Sequence, residues 1–270
     1  VIGTLPKKVS QKDINVKVVI PAYKSIDNDK FTIKQTQGEF SVKIAGNDYE
    51  TRVGRISKKV EHYEVLVVKN EDFFGRDGIY CDASGDAFDD NFLRFLYFQK
   101  AALQFLYNSA FQVDIIHCHD NQSSLIPVYL KYFFNDSSNL QNTKTVLTLH
   151  NIGYQGITEF HHKKYMELPD ELFKPCGLLE WYGQINPLKD GIITADKVTT
   201  VSKGHAEEIT GDERLSAGLM PVLNSRDDEI IGITNGIDEQ QWDPEKDEYI
   251  NRNYTLANFD GKRDNKISLL

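Results

Sequence analysis

The stretches Asp114-Ile-Ile-His-Cys-His-Asp120 and Thr145-Val-Leu-Thr-Leu-His-Asn151 decide the fold of this chain. Each begins with a short apolar run, typical of a buried strand, and ends in a polar cluster. Two later stretches repeat the pattern, Lys197-Val-Thr-Thr-Val-Ser-Lys203 and Ile230-Ile-Gly-Ile-Thr-Asn-Gly-Ile-Asp238. In an open α/β sheet, ligands bind in the crevice beyond the carboxyl ends of the strands. The pattern therefore predicts that polar groups from several strand ends converge on one small molecule.

Helix and strand patterns alternate along the second half of the chain, which implies crossover connections. The predicted fold class is therefore α/β, a Rossmann-like parallel sheet flanked by helices. An amphipathic helix with a period near 3.6 is predicted to precede the sheet over 91–111. The predicted strands are 113–117, 144–149, 197–201 and 230–234, and the predicted helices between them are 122–134, 188–194 and 203–210.

The first half of the chain has a different character. A strand is predicted over 16–20, and residues 31–69 show the alternation of antiparallel strands around a Gly46-Asn47 turn. We interpret 31–69 as a β-rich insertion on the edge of the main sheet. The polar stretch 71–90 is rich in Gly and Asp, and a loop of that length in a compact domain is usually functional or disordered.

Composition excludes several classes of protein. The 270 residues are 40% hydrophobic and carry a net charge of −9, which disfavours a nucleic-acid partner because phosphate binding needs a basic stripe. The 3 cysteines are widely spaced, which argues against a disulfide framework and for a reducing, cytoplasmic compartment. No apolar run approaches the roughly 18 residues of a transmembrane helix, so no membrane partner is expected.

Other chemistries lose support for lack of their motifs. The sequence contains no Walker lysine loop, no GxGxxG and no GxSxG, which removes support for P-loop phosphoryl transfer, Rossmann hydride transfer and α/β-hydrolase chemistry. His117 and His119 share one strand face while Cys118 takes the other, and no second ligand pair with zinc spacing follows. We therefore expect no metal, and satisfied imidazoles at a strand end are the alternative interpretation.

The strand that ends in His150 provides the most specific candidate. It passes directly into a Gly-Tyr-Gln-Gly turn at 153–156, and a plain strand-exit turn gives little reason to place an imidazole there. Asp120 also lies at a strand end, where either a helix cap or a role in the site would explain it. Asn235-Gly236 is followed by no return strand, so a loop at the carboxyl edge of the sheet is predicted rather than a hairpin.

Five segments in order resemble the N-terminal half of a bacterial glycogen synthase or starch synthase, a two-Rossmann-domain (GT-B) glucosyltransferase that uses ADP-glucose. The order and approximate spacing of the family are kept over nearly the whole chain. The segments are 114–120, 145–156, Tyr182-Gly-Gln-Ile-Asn186 with Lys189, Ala195-Asp-Lys-Val-Thr-Thr-Val-Ser202, and Ile233-Thr-Asn-Gly-Ile-Asp238 with Trp242.

This resemblance implies that residues 1–270 are an N-terminal, acceptor-side Rossmann-like catalytic domain truncated at both ends. In the family, a Lys-x-Gly-Gly-Leu-Ala-Asp motif precedes a segment like Val1-Ile-Gly-Thr-Leu-Pro6, and this motif is expected upstream. The C-terminal nucleotide-sugar domain is expected downstream. Because half of the cleft would be missing, residues 1–270 alone are predicted to be inactive.

The resemblance also implies roles for individual residues. His150 would lie against the transferred glucose, with its backbone carbonyl supporting positive charge at the anomeric carbon, and Asp120 would share the catalytic role. Asn121 departs from the family, which usually has Trp there, so no aromatic wall is expected at this position. The implied substrate-binding residues are Tyr80, Gln122, Asn151, Tyr154, Gln155 and Asn235.

The implied reaction moves glucose from ADP-glucose to the 4-hydroxyl at the non-reducing end of an α-1,4-glucan, with retention of anomeric configuration and without a cofactor. Two alternatives stay open. One is another retaining GT-B transferase, of the sucrose-phosphate or mannosyl type. The other is a non-catalytic carbohydrate-binding relative, for which Phe160, Trp181 and Tyr182 would form an aromatic platform.

Overall fold

Two four-stranded sheets form the framework of the computed structural model, which describes residues 3–26, 31–57, 63–134, 136, 138–226 and 228–270. The strands of the first sheet are β1 (Val16–Pro21), β2 (Ile33–Ile44), β3 (Asn47–Ile56) and β4 (Tyr63–Lys69). Their order across the sheet is β1-β4-β3-β2.

The predicted antiparallel hairpin is present in this first sheet. Strands β2 and β3 pair across a turn at Ala45 and Gly46, which both have positive φ (50° and 82°). Strand β4 pairs antiparallel with β3 but parallel with β1, so the 31–69 segment completes a sheet with β1 instead of extending the edge of the parallel sheet. The apolar run 65–68 in β4 explains this difference, because a continuous run is typical of a strand covered on both faces. Residues 58–62 of that segment lie outside the described ranges.

The second sheet is parallel and confirms the predicted fold class. In chain order the remaining strands are β5 (Ile115–His119), β6 (Lys144–Leu149), β7 (Thr158–Glu159), β8 (Gln184–Ile185), β9 (Lys197–Thr200) and β10 (Ile231–Gly232). The parallel order is β10-β9-β6-β5, while β7 and β8 form a separate antiparallel ribbon. The register places His119 opposite Thr148 and Leu149 opposite Thr200. The carboxyl ends of β5, β6 and β9 therefore meet at one edge.

The helices follow the predicted order with shifted boundaries. The predicted 122–134 helix starts only at Ile126, after a 3₁₀ turn over 121–123, and Pro127 occupies its first turn. None of the described residues belongs to a helix that is both long and apolar enough to cross a membrane. The helices are α1 (Leu5–Ser10), α2 (Glu71–Phe74), α3 (Asn91–Tyr107), α4 (Ile126–Tyr132), α5 (Lys163–Met166), α6 (Pro187–Thr194), α7 (Lys203–Gly211), α8 (Met220–Asn224) and α9 (Asp260–Ser268).

Helix α3 packs against the cores of both sheets. Leu96 and Leu103 belong to the apolar core around the parallel sheet, whereas Tyr97 and Phe105 belong to the core of the first sheet. Opposite sides of one helix are thus covered by different cores. This packing fixes the start of α3, and with it the preceding loop, relative to the strand ends of the parallel sheet.

A buried lysine connects α3 to its neighbours. The Lys100 ammonium donates to the backbone carbonyl of Lys43 in β2 at 2.8 Å and pairs with the Glu167 carboxylate at 2.5 Å. Its side chain is only 5% exposed, and burial lowers the pKa of Lys100 while the Glu167 carboxylate acts in the opposite direction. Lys100 therefore joins the first sheet, α3 and the residue that follows α5.

Candidate active site

The ends of β5 and β6 bring two of the predicted residues into direct contact. Asp120 follows β5, and its carboxylate Oδ1 accepts hydrogen bonds from the backbone amides of His150 (2.7 Å) and Asn151 (3.4 Å). The Asp120 amide in turn donates to the Thr148 carbonyl at 3.0 Å. Because an ionised acceptor makes stronger hydrogen bonds than a neutral one, Asp120 fixes the backbone at the point where His150 leaves the sheet.

The backbone of Asp120 is strained. Its φ of 55° and ψ of −169° fall in a region that is essentially restricted to glycine and costs on the order of 1–3 kcal/mol. The side chain makes no capping hydrogen bond to the 3₁₀ turn that follows, which removes the helix-cap interpretation. A non-glycine residue is therefore held in this conformation by the contacts that its carboxylate and amide make across to β6.

Three imidazoles lie side by side at this edge. The rings of His117 and His119 stack with centroids 4.3 Å apart, and the His119 and His150 rings are 5.2 Å apart. Nδ1 of His119 lies 3.0 Å from Nε2 of His150, within hydrogen-bonding distance. Burial, and then the neighbouring His117 and His150, lower the pKa of His119 to about 3. His119 is consequently neutral at physiological pH.

Threonine hydroxyls link the strands beneath the imidazoles. Thr148 Oγ1 lies 2.7 Å from His117 Nε2 and 2.7 Å from Thr199 Oγ1. Thr200 Oγ1 donates to the Leu149 carbonyl at 2.9 Å. Polar side chains thus hold β6 from both adjacent strands, immediately before it ends at His150.

The turn after His150 is organised by amide side chains. Asn151 Oδ1 accepts from the Gly153 amide at 3.0 Å, and Asn121 Nδ2 donates to the Tyr154 carbonyl at 2.7 Å. Gly156 has a φ of 70°, and a Cβ there would lie 3.0 Å from Asn121 Oδ1, so a side chain would be strained and crowded. Asn121 therefore supports the turn through its amide, while the Tyr154 side chain is 71% exposed.

Gln155 faces inward from the same turn. Its side chain donates to the Ala217 carbonyl at 2.9 Å and accepts from Asn186 Nδ2 at 2.6 Å, and the residue is 6% exposed. Asn186 also caps α6, because its Oδ1 accepts from the Lys189 amide. Among the predicted substrate-binding residues, Gln155 therefore has its amide occupied by contacts within the protein.

Tyr80 approaches the site from the 71–90 loop. Burial, and then the nearby Asp120 carboxylate, raise the pKa of Tyr80, which is 49% exposed. Asn91 Nδ2 donates to the Tyr80 carbonyl at 2.8 Å, and Arg94 Nη1 donates to the Ile79 carbonyl at 2.8 Å. The first turn of α3 thus holds the end of the loop that carries Tyr80.

Gln122, Asn235 and Lys189, which the sequence also singles out, lie in different parts of the fold. Gln122 lies half-buried in the 3₁₀ turn after Asp120, and Asn235 lies exposed in the segment after β10. Lys189, part of one resembling segment, is buried and donates to the backbone carbonyls of Leu178 and Glu180. In the part of the chain that the structure describes, no group of three or more His, Cys, Asp or Glu residues is arranged to hold a metal.

Sequence reasoning missed the contact between His119 and His150. The alternation along β5 correctly places His117 and His119 on one face, but the two histidines were considered only as metal ligands or strand-end groups. The available signal was a His next to a polar residue at the carboxyl end of two adjacent strands, since the carboxyl ends of parallel strands lie at the same edge of a sheet.

The fold and the strand-end cluster define a class of protein, an α/β protein with a cluster of polar side chains at the carboxyl edge of a parallel sheet. Within this class the chain belongs to the family described as starch synthase catalytic domain, which matches residues 1–225. The predicted family is thereby confirmed.

Individual relatives agree with this assignment. The chain is 35% identical over 274 residues to glycogen synthase 2 of Geobacter metallireducens, covering 100% of this chain and 54% of that protein. It is 36% identical over 270 residues to the glycogen synthase of Finegoldia magna, covering 100% of this chain and 55% of that protein. The catalytic domain of starch synthase IV from Arabidopsis thaliana, bound to ADP and acarbose, superposes with a TM-score of 0.86 at 28% identity, covering 100% of this chain and 54% of that one. The chain thus spans about half the length of these relatives.

Proposed function

We propose that the protein containing this chain transfers glucose from ADP-glucose to the 4-hydroxyl of an α-1,4-glucan, with retention. Family membership supports this activity, as does the similarity to a starch synthase bound to ADP and acarbose. The observation that carries the proposal is the His150 backbone, which leaves the parallel sheet at its carboxyl edge and is held there by Asp120. A cytoplasmic location is part of the proposal, supported by the bacterial glycogen synthase relatives.

Each predicted residue has a proposed role. His150 lies against the transferred glucose, with its carbonyl directed at the anomeric carbon, and Asp120 keeps that backbone in place. Gln155, with its amide occupied within the protein, supports the turn that presents His150. The residues proposed to contact sugar or acceptor are Tyr80, Gln122, Asn151, Tyr154 and Asn235.

The chemistry follows from the groups at the strand ends. A retaining glycosidase uses two carboxyl groups about 5 Å apart, one of them as a nucleophile. The Asp120 carboxylate accepts hydrogen bonds from two backbone amides, and the strand ends around it carry imidazole and amide groups. We therefore favour a same-face displacement, in which the leaving diphosphate helps to deprotonate the acceptor hydroxyl. Positioning and electrostatic stabilisation of an oxocarbenium-like state then supply the rate.

The domain assignment is part of the same proposal. Residues 1–270 form the acceptor-side Rossmann-like domain, and a second domain supplies the nucleotide-sugar site. Closure of the cleft between the two domains excludes water, which would otherwise hydrolyse the donor. Because residues 1–270 would supply only one side of this cleft, we expect them to fold without synthesising glucan.

The test measures glucan elongation by the intact protein with ADP-, UDP- and GDP-glucose, GDP-mannose and a glycogen acceptor. ADP-glucose should be the preferred donor, and His150→Ala should lower turnover on the order of 10²-fold or more. His161→Ala is the matched control, because the His161 side chain is 58% exposed and outside the site. Preference for another donor would establish a different transferase, and sugar binding without turnover would establish a non-catalytic relative. Glucan synthesis by residues 1–270 alone would contradict the domain assignment.

A further inference from the structure

His119 contacts His150 from a fixed position. Its backbone is held on both sides by Ser123, whose hydroxyl oxygen accepts from the His119 amide at 2.6 Å and donates to the His119 carbonyl at 2.8 Å. The stacked ring of His117 covers one side of the imidazole. The hydrogen bonds to Ser123 and the stacking on His117 therefore fix the position of His119 Nδ1 beside His150 Nε2.

The hydrogen bond between these rings links their tautomers. Two neutral imidazoles can share a hydrogen bond only when one nitrogen carries the proton and the other offers a lone pair. When both rings are neutral, the state of His119 Nδ1 determines whether His150 Nε2 is protonated, and hence whether His150 Nδ1 carries a proton or a lone pair. Among the described residues, His150 Nδ1 has no hydrogen-bond partner, so this nitrogen remains available to a ligand.

We propose that His119 is a positioning residue for His150, fixing the rotation and the tautomer of its ring through the hydrogen bond between Nδ1 and Nε2. This inference rests on the proposed function and adds to it. Asp120 holds the backbone of His150, while the preceding residue, His119, holds its side chain. Two consecutive residues at the end of β5 thus position the backbone and the side chain of His150. The role of His119 is similar to that of the group that orients the general base in a catalytic triad.

Charge supports this assignment. An imidazolium at His119 would be a buried charge and would lose the lone pair that one arrangement of the hydrogen bond requires. Burial and the flanking imidazoles lower the pKa of His119 to about 3, so the ring stays neutral near pH 7. His119 therefore meets His150 as a neutral ring that can share one hydrogen bond with it.

The first measurement requires no substitution. In protein labelled with ¹⁵N-histidine, the ring nitrogens of His150 should report one tautomer, and a scalar coupling should connect His119 Nδ1 with His150 Nε2 across the hydrogen bond. Two tautomers of His150 in exchange, or absence of the coupling together with a free His119 Nδ1, would overturn the proposal.

The second measurement compares two substitutions in the intact protein. His119→Phe fills a similar volume without a hydrogen bond, and it should lower kcat about 10- to 100-fold with KM for donor and acceptor changed less than about 3-fold. His119→Asn keeps a polar atom near the position of Nδ1 and should restore kcat to within about 3-fold of wild type. His161→Phe, at an exposed position, controls for loss of an imidazole.

The outcomes separate a positioning role from a structural one. If His119→Phe keeps wild-type kcat, or if His119→Asn loses as much kcat as His119→Phe, the proposal fails. A fall in thermal stability with the His150 tautomer unchanged also assigns His119 a purely structural role. Absence of glucosyltransferase activity in the wild-type protein would refute the proposed function, whereas the tautomer and coupling measurements would still decide the relationship between the two histidines.

Discussion

The carboxylate of Asp120 accepts a hydrogen bond from the backbone amide of His150, at 2.7 Å and across 30 residues of sequence. The same residue has a φ of 55° and a ψ of −169°, so it pays a conformational penalty to make this contact. Strain of this kind persists only where surrounding contacts hold it, and here the contacts are hydrogen bonds to Thr148, His150 and Asn151. The pair thus connects backbone conformation to the proposed chemistry.

Asp120→Gly should separate stability from activity. Glycine removes a strain of about 1–3 kcal/mol, while loss of hydrogen bonds to a charged acceptor costs about 1.5–3 kcal/mol, so the free energy of unfolding should change by no more than about 2 kcal/mol. Turnover of the intact protein should nevertheless fall on the order of 10²-fold, with KM changed much less, because the His150 backbone is no longer fixed.

Asp120→Ala is the matched control for this substitution. Alanine loses the same hydrogen bonds but keeps a Cβ, so the variant should be less stable than Asp120→Gly by about 1 kcal/mol or more. Urea unfolding and steady-state kinetics measure both quantities. Equal stability of the alanine and glycine variants would show that residue 120 is not strained, and wild-type turnover in either would remove Asp120 from the site.

Gly191→Ala should separate α6 from the segment that follows Asp120. A Cβ at this position would lie 2.4 Å from the Ser124 carbonyl oxygen and 2.7 Å from Ser124 Cβ, which forces the backbones apart and should cost about 1–3 kcal/mol. Gly204→Ala, on α7, has nothing within 4 Å of the new Cβ and should instead stabilise the protein by about 0.5–1 kcal/mol. Denaturant unfolding measures both changes, and a neutral Gly191→Ala would contradict the close approach.

Lys100→Met should weaken the attachment of α3 to the first sheet. The substitution keeps the apolar stem but leaves the Lys43 carbonyl and the Glu167 carboxylate without the ammonium, and it should lower the free energy of unfolding by about 1–3 kcal/mol. The double variant Lys100→Met with Glu167→Gln should recover part of this loss, because no unpaired carboxylate remains. If the double variant is less stable than the single one by the full cost of Glu167→Gln alone, the two groups are not coupled.

Asp190 should make stability depend on pH. Burial raises the pKa of this carboxyl from 3.8 to about 8, against the opposing effect of Lys189 Nζ at 3.3 Å. The folded state then binds the proton more tightly than the unfolded chain, so the free energy of unfolding should fall as pH rises from about 4 to about 8. Asp190→Asn should remove this dependence and melt higher than wild type at pH 8 by more than about 5 °C, with a smaller difference at pH 5.

Asp170→Asn is the control for charge in this experiment. Its carboxylate is 85% exposed, so removal of one negative charge there should leave the pH dependence of the melting temperature intact. A wild-type protein that gains stability between pH 5 and pH 8 relative to Asp190→Asn would show that Asp190 is ionised and paired in the folded state.

Local sequence patterns predicted the positions of the strands and helices better than they predicted which strands pair. Alternation and apolar runs located β4, β5, β6 and β9, but the alternation over 31–69 predicted antiparallel strands and did not indicate that β4 pairs in parallel with β1. The 71–90 stretch was predicted as a loop, yet it contains α2, whose N-terminus is capped by Asn70 accepting from the Phe73 amide at 3.2 Å. A helix of one turn has too few residues to show a 3.6-residue period.

In the candidate site, too, the sequence predicted where residues lie along the chain but not which groups they contact. Sequence placed His150 and Asp120 at strand ends but left Asp120 open between a helix cap and a site residue. The cap was a reasonable alternative, because Asp before a helical turn commonly accepts from backbone amides of that turn. The structure shows that the carboxylate instead accepts from the amides of the two residues that follow β6, a choice set by the parallel register between β5 and β6.

The sequence by itself determined that this protein has a parallel sheet with polar strand ends, because strand periodicity and apolar runs act over a few residues. It also determined the family, because five segments in a fixed order leave few alternatives. Only the tertiary structure decided that the Asp120 carboxylate meets the His150 amide and that His119 meets the His150 ring. Those contacts join residues about 30 positions apart, and their formation depends on strand register and on the strained backbone at Asp120, which no local pattern encodes.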